Sequence, residues 1–426
     1  MPGKGNLACP ERRASLKQLL TGNASVATAV RLCAVDYIPA FPITPQTEII
    51  ELLSRWINED RMDAKLVMMD SEHSMITAAG AASLAGVRTF TATSSQGLLY
   101  GFEMLYNLAG WRVPVVMANV SRGVSSPITM EPDHNDVLSA RDSGFLQIHA
   151  ETCQEVLDSV IMAYLISEDS LVRLPTIVNL DGFYLSYTRE PVEVPEREEV
   201  ASILPQYIPT SGYMNAQNPV SVAVAVLDGR AYSYFKYQMH LASLNALDVH
   251  EKASKKFEKA FGRKYDIVDG FMLDDADYVI VMTNSLTTTA RAAIKEMRNE
   301  GRKVGLVRIR LLRPFPRQKI GQMLAGKKGV AVLDQNISIG SGGILYPEVL
   351  GALYHRSDRP NKIISFIGGL GGKHIGISDF KHIMSVTEQS VKEDQQPLQS
   401  ILLFTDSDWS KVKQMLKVAG KGEVEG

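Results

Sequence analysis

Three cysteines in 426 residues, Cys9, Cys33 and Cys153, are too few and too scattered for a disulfide framework, a thiolate zinc site or an iron–sulfur cluster. The eight histidines show no metal-ligand spacing. An excess of one charge is lacking too: 45 Lys+Arg nearly cancel 47 Asp+Glu, giving −2, so nothing marks a nucleic-acid binder. The longest apolar runs, 113–118 and 220–227, fall far short of the roughly 20 residues that cross a bilayer, so no membrane partner is expected. The start, Met1-Pro2-Gly3-Lys4-Gly5-Asn6, has no apolar core of a signal peptide, and a cytoplasmic location is the expectation. No period of 20–50 residues recurs, which excludes a repeat architecture.

What is present is an ordinary globular composition, 45% hydrophobic with 32 Gly, in a chain long enough for two or three domains. Short apolar runs alternate with helical patterns. Strands are expected at 37–41, 65–69, 89–93 and 113–120, with helices at 24–35, from Pro45, at 71–84 and at 98–110. The beat resumes with strands at 278–282, 304–309 and 329–333 and helices at 287–300 and 316–325. This alternation is the mark of parallel α/β sheets. The expected organisation is an N-terminal arm over 1–21, a first domain over 22–205, a connecting arm over 206–265, a second domain over 266–385 and a C-terminal segment over 386–426. Asn23 is the expected cap of the first helix.

Glu72, in Asp70-Ser71-Glu72-His73-Ser74, follows a strand and opens an Ala-rich helix. It reads either as a first-turn acid favoured by the helix dipole or as a buried acid facing a ligand nitrogen. A carboxyl in apolar surroundings can pass a proton near neutrality. Arg122 follows another strand, where open α/β sheets face their ligands, and a guanidinium clasps a carboxylate with two prongs; the alternative is a solvated loop residue. Thr44, in Ile43-Thr44-Pro45, either lines the same crevice or caps the helix behind Pro45. Asp133-His134-Asn135-Asp136 is a polar turn or part of a site wall. Gly321–Lys327 fits G-x-x-x-x-G-K, but Lys328 replaces the Ser/Thr and the interior is helical, so a P-loop is rejected.

Ala40-Phe41-Pro42-Ile43-Thr44-Pro45-Gln46-Thr47, Ser71-Glu72-His73, Phe90 through Gly97 and Asp181-Gly182-Phe183 together resemble the alpha subunit of 2-oxoacid:acceptor oxidoreductases, the pyruvate:ferredoxin oxidoreductase family. Val307 through Pro316 and Leu333-Asp334-Gln335-Asn336-Ile337-Ser338 extend the resemblance, which covers about 20–385. It implies a parallel-sheet domain of the pyrimidine-binding type of thiamine diphosphate enzymes, followed by an α/β domain like the transketolase C-terminal domain. The implied reaction converts a 2-oxoacid and coenzyme A into acyl-CoA and carbon dioxide. Glu72 stands where the family places the acid at N1′ of the aminopyrimidine, with Ser95 and Gln96 in the cofactor's surroundings. Thr44 and Arg122 stand where it holds the substrate's carboxylate and keto oxygen.

The resemblance also shows what this chain lacks. Asp181-Gly182 has no leading Gly, and no suitable Asn follows about thirty residues on, as a family diphosphate and Mg²⁺ motif would require. With three scattered cysteines, [4Fe–4S] clusters must come from elsewhere too. The implied partners are a beta subunit carrying the diphosphate/Mg²⁺ half-site and a cluster, gamma- and delta-type subunits, and ferredoxin or an NAD-reducing flavoprotein subunit. Pyruvate users of the family tend to carry an aromatic residue before the Asp-His pair, where this chain has Met130-Glu131-Pro132. Phe41 likewise replaces a more usual Tyr. Both pyruvate and a larger or aryl acid, as for phenylglyoxylate dehydrogenase, stay open. Two further readings are a self-sufficient thiamine-dependent decarboxylase or transketolase-like enzyme, and a non-catalytic subunit that orders a partner's site.

Overall fold

The computed structural model describes residues 16–209, 214–217 and 219–418; residues 1–15 of the expected arm and 419–426 of the expected C-terminal segment lie outside them. The first half contributes strands β1 (Leu16–Thr21), β2 (Tyr37–Ala40), β3 (Lys65–Met68), β4 (Phe90–Thr93), β5 (Val116–Ser121), β6 (Leu146–His149), β7 (Thr176–Asp181) and β8 (Arg189–Val194). The second contributes β9 (Val268–Phe271), β10 (Tyr278–Met282), β11 (Val304–Ile309), β12 (Leu311–Arg313), β13 (Gly329–Asp334), β14 (Lys362–Ile367) and β15 (Ile401–Leu402).

A five-stranded sheet runs β12-β6-β7-β5-β4, parallel except for β12. A single bridge between Tyr37 and Thr89 continues it to the parallel pair β2–β3. All residues of β5 and β7 are buried, as strands covered on both faces by helices must be. Their polar residues sit opposite one another near the carboxyl ends, Asn119 against Asn179 and Ser121 against Asp181. The second sheet runs β15-β14-β13-β10-β11-β9, parallel except for β9.

Several local expectations shift for physical reasons. Helix Gly22–Leu32 is capped by Thr21, whose Oγ1 accepts from Ala24 N at 3.0 Å. Asn23 instead donates from Nδ2 to Pro45 O at 2.9 Å, tying down the Thr44 loop. The one helix expected at 98–110 is two, Gln96–Tyr100 and Phe102–Trp111, broken at Gly101. A Cβ there would lie 2.3 Å from Ile76 Cδ1, so this crossing leaves no room for a side chain.

Leu16–Thr21, placed by the sequence in an N-terminal arm, pairs antiparallel with β8. The boundary near 205 does not separate two cores: β12 joins the first sheet, and one apolar cluster unites Val137 and Ile177 with Val281 and Val307. Helix Ile377–Lys392 runs across the boundary expected at 385, and β15 adds a strand beyond it. Within the expected connecting arm, helix Gly229–Phe261 buries Ala246, Val249 and Phe257 in the first core.

Buried ion pairs lock the halves together. Arg310, fully buried, donates to Glu155 Oε1 at 2.5 Å and Ser159 Oγ at 2.8 Å, and its Nη1 lies 2.8 Å from His250 Nε2. Arg308 reaches Glu155 Oε2 at 2.7 Å and Asp269 Oδ2 at 2.9 Å. The Arg-rich stretch of β11 and β12 therefore serves the domain junction.

Candidate active site

Parallel strands direct their carboxyl ends to one edge, and the loops leaving β2, β3, β4 and β5 there carry Thr44, Glu72, Ser95-Gln96 and Arg122 respectively. Ser71 caps helix Glu72–Leu84 by accepting from Ser74 N at 3.2 Å, which sets Glu72 in its first turn. The side chain is nonetheless only 6% exposed. It is thus at once a first-turn acid and a buried one. Its carboxylate lies against Gly97 and Thr93: a Cβ on Gly97 would come within 2.5 Å of Glu72 Oε1 and of Thr93 Oγ1. Glycine at 97 is what lets the acid and the threonine close over this turn.

Arg122 is 4% exposed and not a solvated loop residue. Burial pulls its pKa down, and the charge of Asp136 opposes that shift. Its Nη2 donates to Gln96 Oε1 at 3.1 Å, and Nη1 lies 2.6 Å from Met130 Sδ. Ser95 precedes Gln96 with φ 48° and ψ −118°, a backbone shape that favours glycine, and its hydroxyl donates to Gly123 O at 2.8 Å. The loops after β4 and β5 are thereby stitched together.

Thr44 is exposed at the same edge and does not cap the following helix, which starts at Thr47 behind Gln46. Its neighbour Pro45 and the Met130 carbonyl both approach Gly182: a Cβ there would sit 3.0 Å from Pro45 Cγ and 3.6 Å from Met130 O. The Met130 loop is also pinned from the second half of the chain, where Gly372 N donates to Pro132 O at 3.1 Å and the Tyr184 hydroxyl donates to Gly372 O. The five residues singled out from the sequence are therefore gathered along one edge.

Sequence reasoning missed the polar layer beneath that edge. Asp181 meets His134 Nε2 at 2.7 Å, Asn284 Nδ2 at 3.0 Å and Ser285 N at 3.1 Å, and takes the Ser285 hydroxyl as well. Burial works against both charges, yet the pairing prevails: His134 is held above its usual range and Asp181 below its own. The signals for this layer were the Asp133–Asp136 run and Asp181-Gly182; the Asn284 and Ser285 partners come from across the domain junction.

Cofactor fit rests on unsatisfied atoms. Thr93 Oγ1, Gln96 Nε2 and Arg122 Nε are buried without a hydrogen-bond partner among the described residues, which is costly unless a ligand supplies one. Together with the Glu72 carboxyl they suit a nitrogen-bearing ring and an anionic substrate. Asp181 is fully engaged by His134, Asn284 and Ser285 and has no spare lone pair directed to a metal. Among the described residues no group of three or more His, Cys, Asp or Glu could hold a metal ion.

This α/β chain, with a buried acid at the carboxyl edge of its first parallel sheet, matches by family models a thiamine diphosphate-binding class. Residues 28–259 match the pyruvate flavodoxin/ferredoxin oxidoreductase thiamine diphosphate-binding domain, and residues 276–380 match core domain II of pyruvate:ferredoxin oxidoreductase. Pyruvate synthase subunit PorA of Methanothermobacter thermautotrophicus is 39% identical over 87% of this chain and 95% of its own length. Ketoisovalerate oxidoreductase subunit VorA of Pyrococcus abyssi is 39% identical over 86% and 92%. The chain thus belongs to the pyruvate:ferredoxin oxidoreductase family, as an alpha subunit. In fold it is similar to a 2-oxoglutarate:ferredoxin oxidoreductase from Magnetococcus marinus, with TM-score 0.67 and 19% identity over 88% of this chain and 65% of that one. A split-gene transketolase follows with TM-score 0.52 and 12% identity over 87% and 99%. Both sheets match the fold class expected from the sequence.

Proposed function

We propose that this subunit binds a 2-oxoacid and half of thiamine diphosphate for oxidative decarboxylation to an acyl-CoA, with Glu72 as the proton-relay acid. The observation that carries the reading is the buried Glu72 carboxyl, packed at Gly97, on the same sheet edge as the unpartnered donors of Gln96 and Arg122. Thiamine diphosphate, when bound, supplies the carbon nucleophile for the keto group. Glu72 would hold and return a proton at a nitrogen of that cofactor's ring, a task for an acid kept from water. Arg122, braced by Gln96, clasps the substrate carboxylate, so that the keto carbon is presented in one orientation. Thr44 supplies a hydroxyl to the keto oxygen. Ser95 and Gln96 form the wall between cofactor and substrate.

The half-site needs a complement. Met68 and Tyr100, near Glu72 in the chain fold, are 54% and 65% exposed, an apolar rim suited to a beta subunit carrying the diphosphate, Mg²⁺ and a cluster. Gamma- and delta-type subunits would pass electrons to ferredoxin or NAD, in the cytoplasm. Met130 beside Arg122 leaves the substrate side lined by a flexible chain rather than a ring, which favours acids larger than pyruvate.

Tagged chain should copurify with such partners, and the complex should reduce an acceptor with CoA and a 2-oxoacid drawn from pyruvate, 2-oxoisovalerate and phenylglyoxylate. Glu72→Gln in that complex should lower turnover by roughly 10²–10⁴. Turnover within about tenfold of the parent would leave the subunit a merely structural role.

A further inference from the structure

We propose that Asp136 is the positioning residue that sets Arg122 and the Ser95-Gln96 turn in register with each other. The proposal rests on reading Arg122 as the substrate-carboxylate clasp. Asp136 is fully buried in the first turn of the short helix Asn135–Ser139. Its Oδ2 accepts from Ser95 N at 3.0 Å, Asn119 Nδ2 at 3.1 Å and Arg122 N at 3.4 Å. Its Oδ1 accepts from Ser121 Oγ at 2.9 Å and Val137 N at 2.6 Å. One oxygen thus gathers the backbone amides that precede Gln96 and open Arg122, on loops from two different strands.

That arrangement answers a specific difficulty. Ser95 holds a left-handed backbone shape without being glycine, and such strain persists only where surrounding bonds over-determine it. The Asp136 carboxylate on its amide, Gly123 O on its hydroxyl and Leu99 N on its carbonyl are the bonds that do so. The same carboxylate on Arg122 N fixes where that side chain begins, and the Nη2 to Gln96 Oε1 bond closes the ring. A neutral amide at 136 keeps the volume but removes the charge that strengthens all five bonds and leaves one acceptor oxygen in place of two, so the shared anchor of both loops loosens. A shift of about 1 Å in a substrate clamp can cost on the order of 10² in rate.

The test uses the assembled complex with Asp136→Asn, Arg122→Lys and the double variant. The dissociation constant of oxamate is measured by calorimetry beside kcat, KM for the 2-oxoacid and KM for CoA. Asp136→Asn should weaken oxamate and raise the 2-oxoacid KM by about tenfold, leave the CoA KM within about twofold, and add less than about threefold to Arg122→Lys, because both act through one group. Unchanged oxamate binding in Asp136→Asn, with Arg122→Lys impaired, overturns the proposal alone; unchanged binding in Arg122→Lys overturns the reading of Arg122 itself. A purely structural Asp136 would lower kcat in step with the folded fraction and move neither constant. Should Asp136→Asn fail to assemble, Ser121→Ala removes one donor from the same carboxylate and should weaken oxamate about two- to threefold; no change there overturns the proposal.

Discussion

Glu72 and Gly97 are fitted to each other: the space a Cβ on Gly97 would need, within 2.5 Å of Glu72 Oε1, is the space the carboxyl already takes. The acid leaves β3 and the glycine leaves β4, so their closeness is a product of strand order.

Gly97→Ala should therefore displace the Glu72 and Thr93 side chains while leaving the core intact. Turnover of the complex is expected to fall by on the order of 10², with little change in thermal midpoint. Retained turnover would mean that the carboxyl has no fixed task.

Met130 touches the Arg122 guanidinium, so its bulk bears on what the clasp can hold. Met130→Trp should shift the ratio of kcat/KM values for pyruvate over phenylglyoxylate upward by about tenfold or more. An unchanged ratio would place the substrate's side chain elsewhere.

His149 is buried, with Nδ1 2.6 Å from Asn284 Oδ1, and burial together with the neighbouring His134 charge pushes its pKa down to about 3. An unfolded histidine titrates near 6.5. Between those values the unfolded chain binds a proton that the folded chain refuses, so stability falls as the pH falls through that window, at up to about 1.4 kcal/mol per pH unit. His149→Gln removes this proton uptake. Denaturation midpoints measured from pH 7 to 4.5 should decline less steeply in the variant, and parallel curves would contradict the assignment.

Arg310 is fully buried and anchors Glu155, Ser159 and His250. Arg310→Met leaves those groups buried and short of a partner, and should cost about 3 kcal/mol in chemical denaturation. The kcat of the fraction that stays folded should be unchanged, because none of these groups lies at the Glu72 edge. A kcat that drops with stability intact would point to a catalytic part for this network.

Glu72, Arg122 and Thr44 could be set on one edge from the chain because each is a polar residue placed where an apolar strand ends, and strand ends of a parallel sheet share an edge; Ser95 and Gln96 were pointed to only by the family resemblance. The strands 278–282 and 304–309 were likewise readable to the residue, since a strand buried on both faces is a continuous apolar run. Cap and boundary details were less so: Thr21 and Asn23 are both suitable caps, and only the position of the Pro45 carbonyl sends Asn23 elsewhere.

The amino-acid order by itself determined the parallel α/β rhythm, the acid at the head of its helix and the want of a metal–sulfur set in this chain. Only the tertiary structure decided that β12 crosses into the first sheet, that Asp181 spends its lone pairs on His134, Asn284 and Ser285, and that Asp136 gathers two loops. The reason is one of range. Periodicity and capping act over a few residues, whereas the side-chain bonds join positions 14 to 104 residues apart, and the β12 pairing and those of Asp181 with Asn284 and Ser285 exist only once the two halves have closed on a common core.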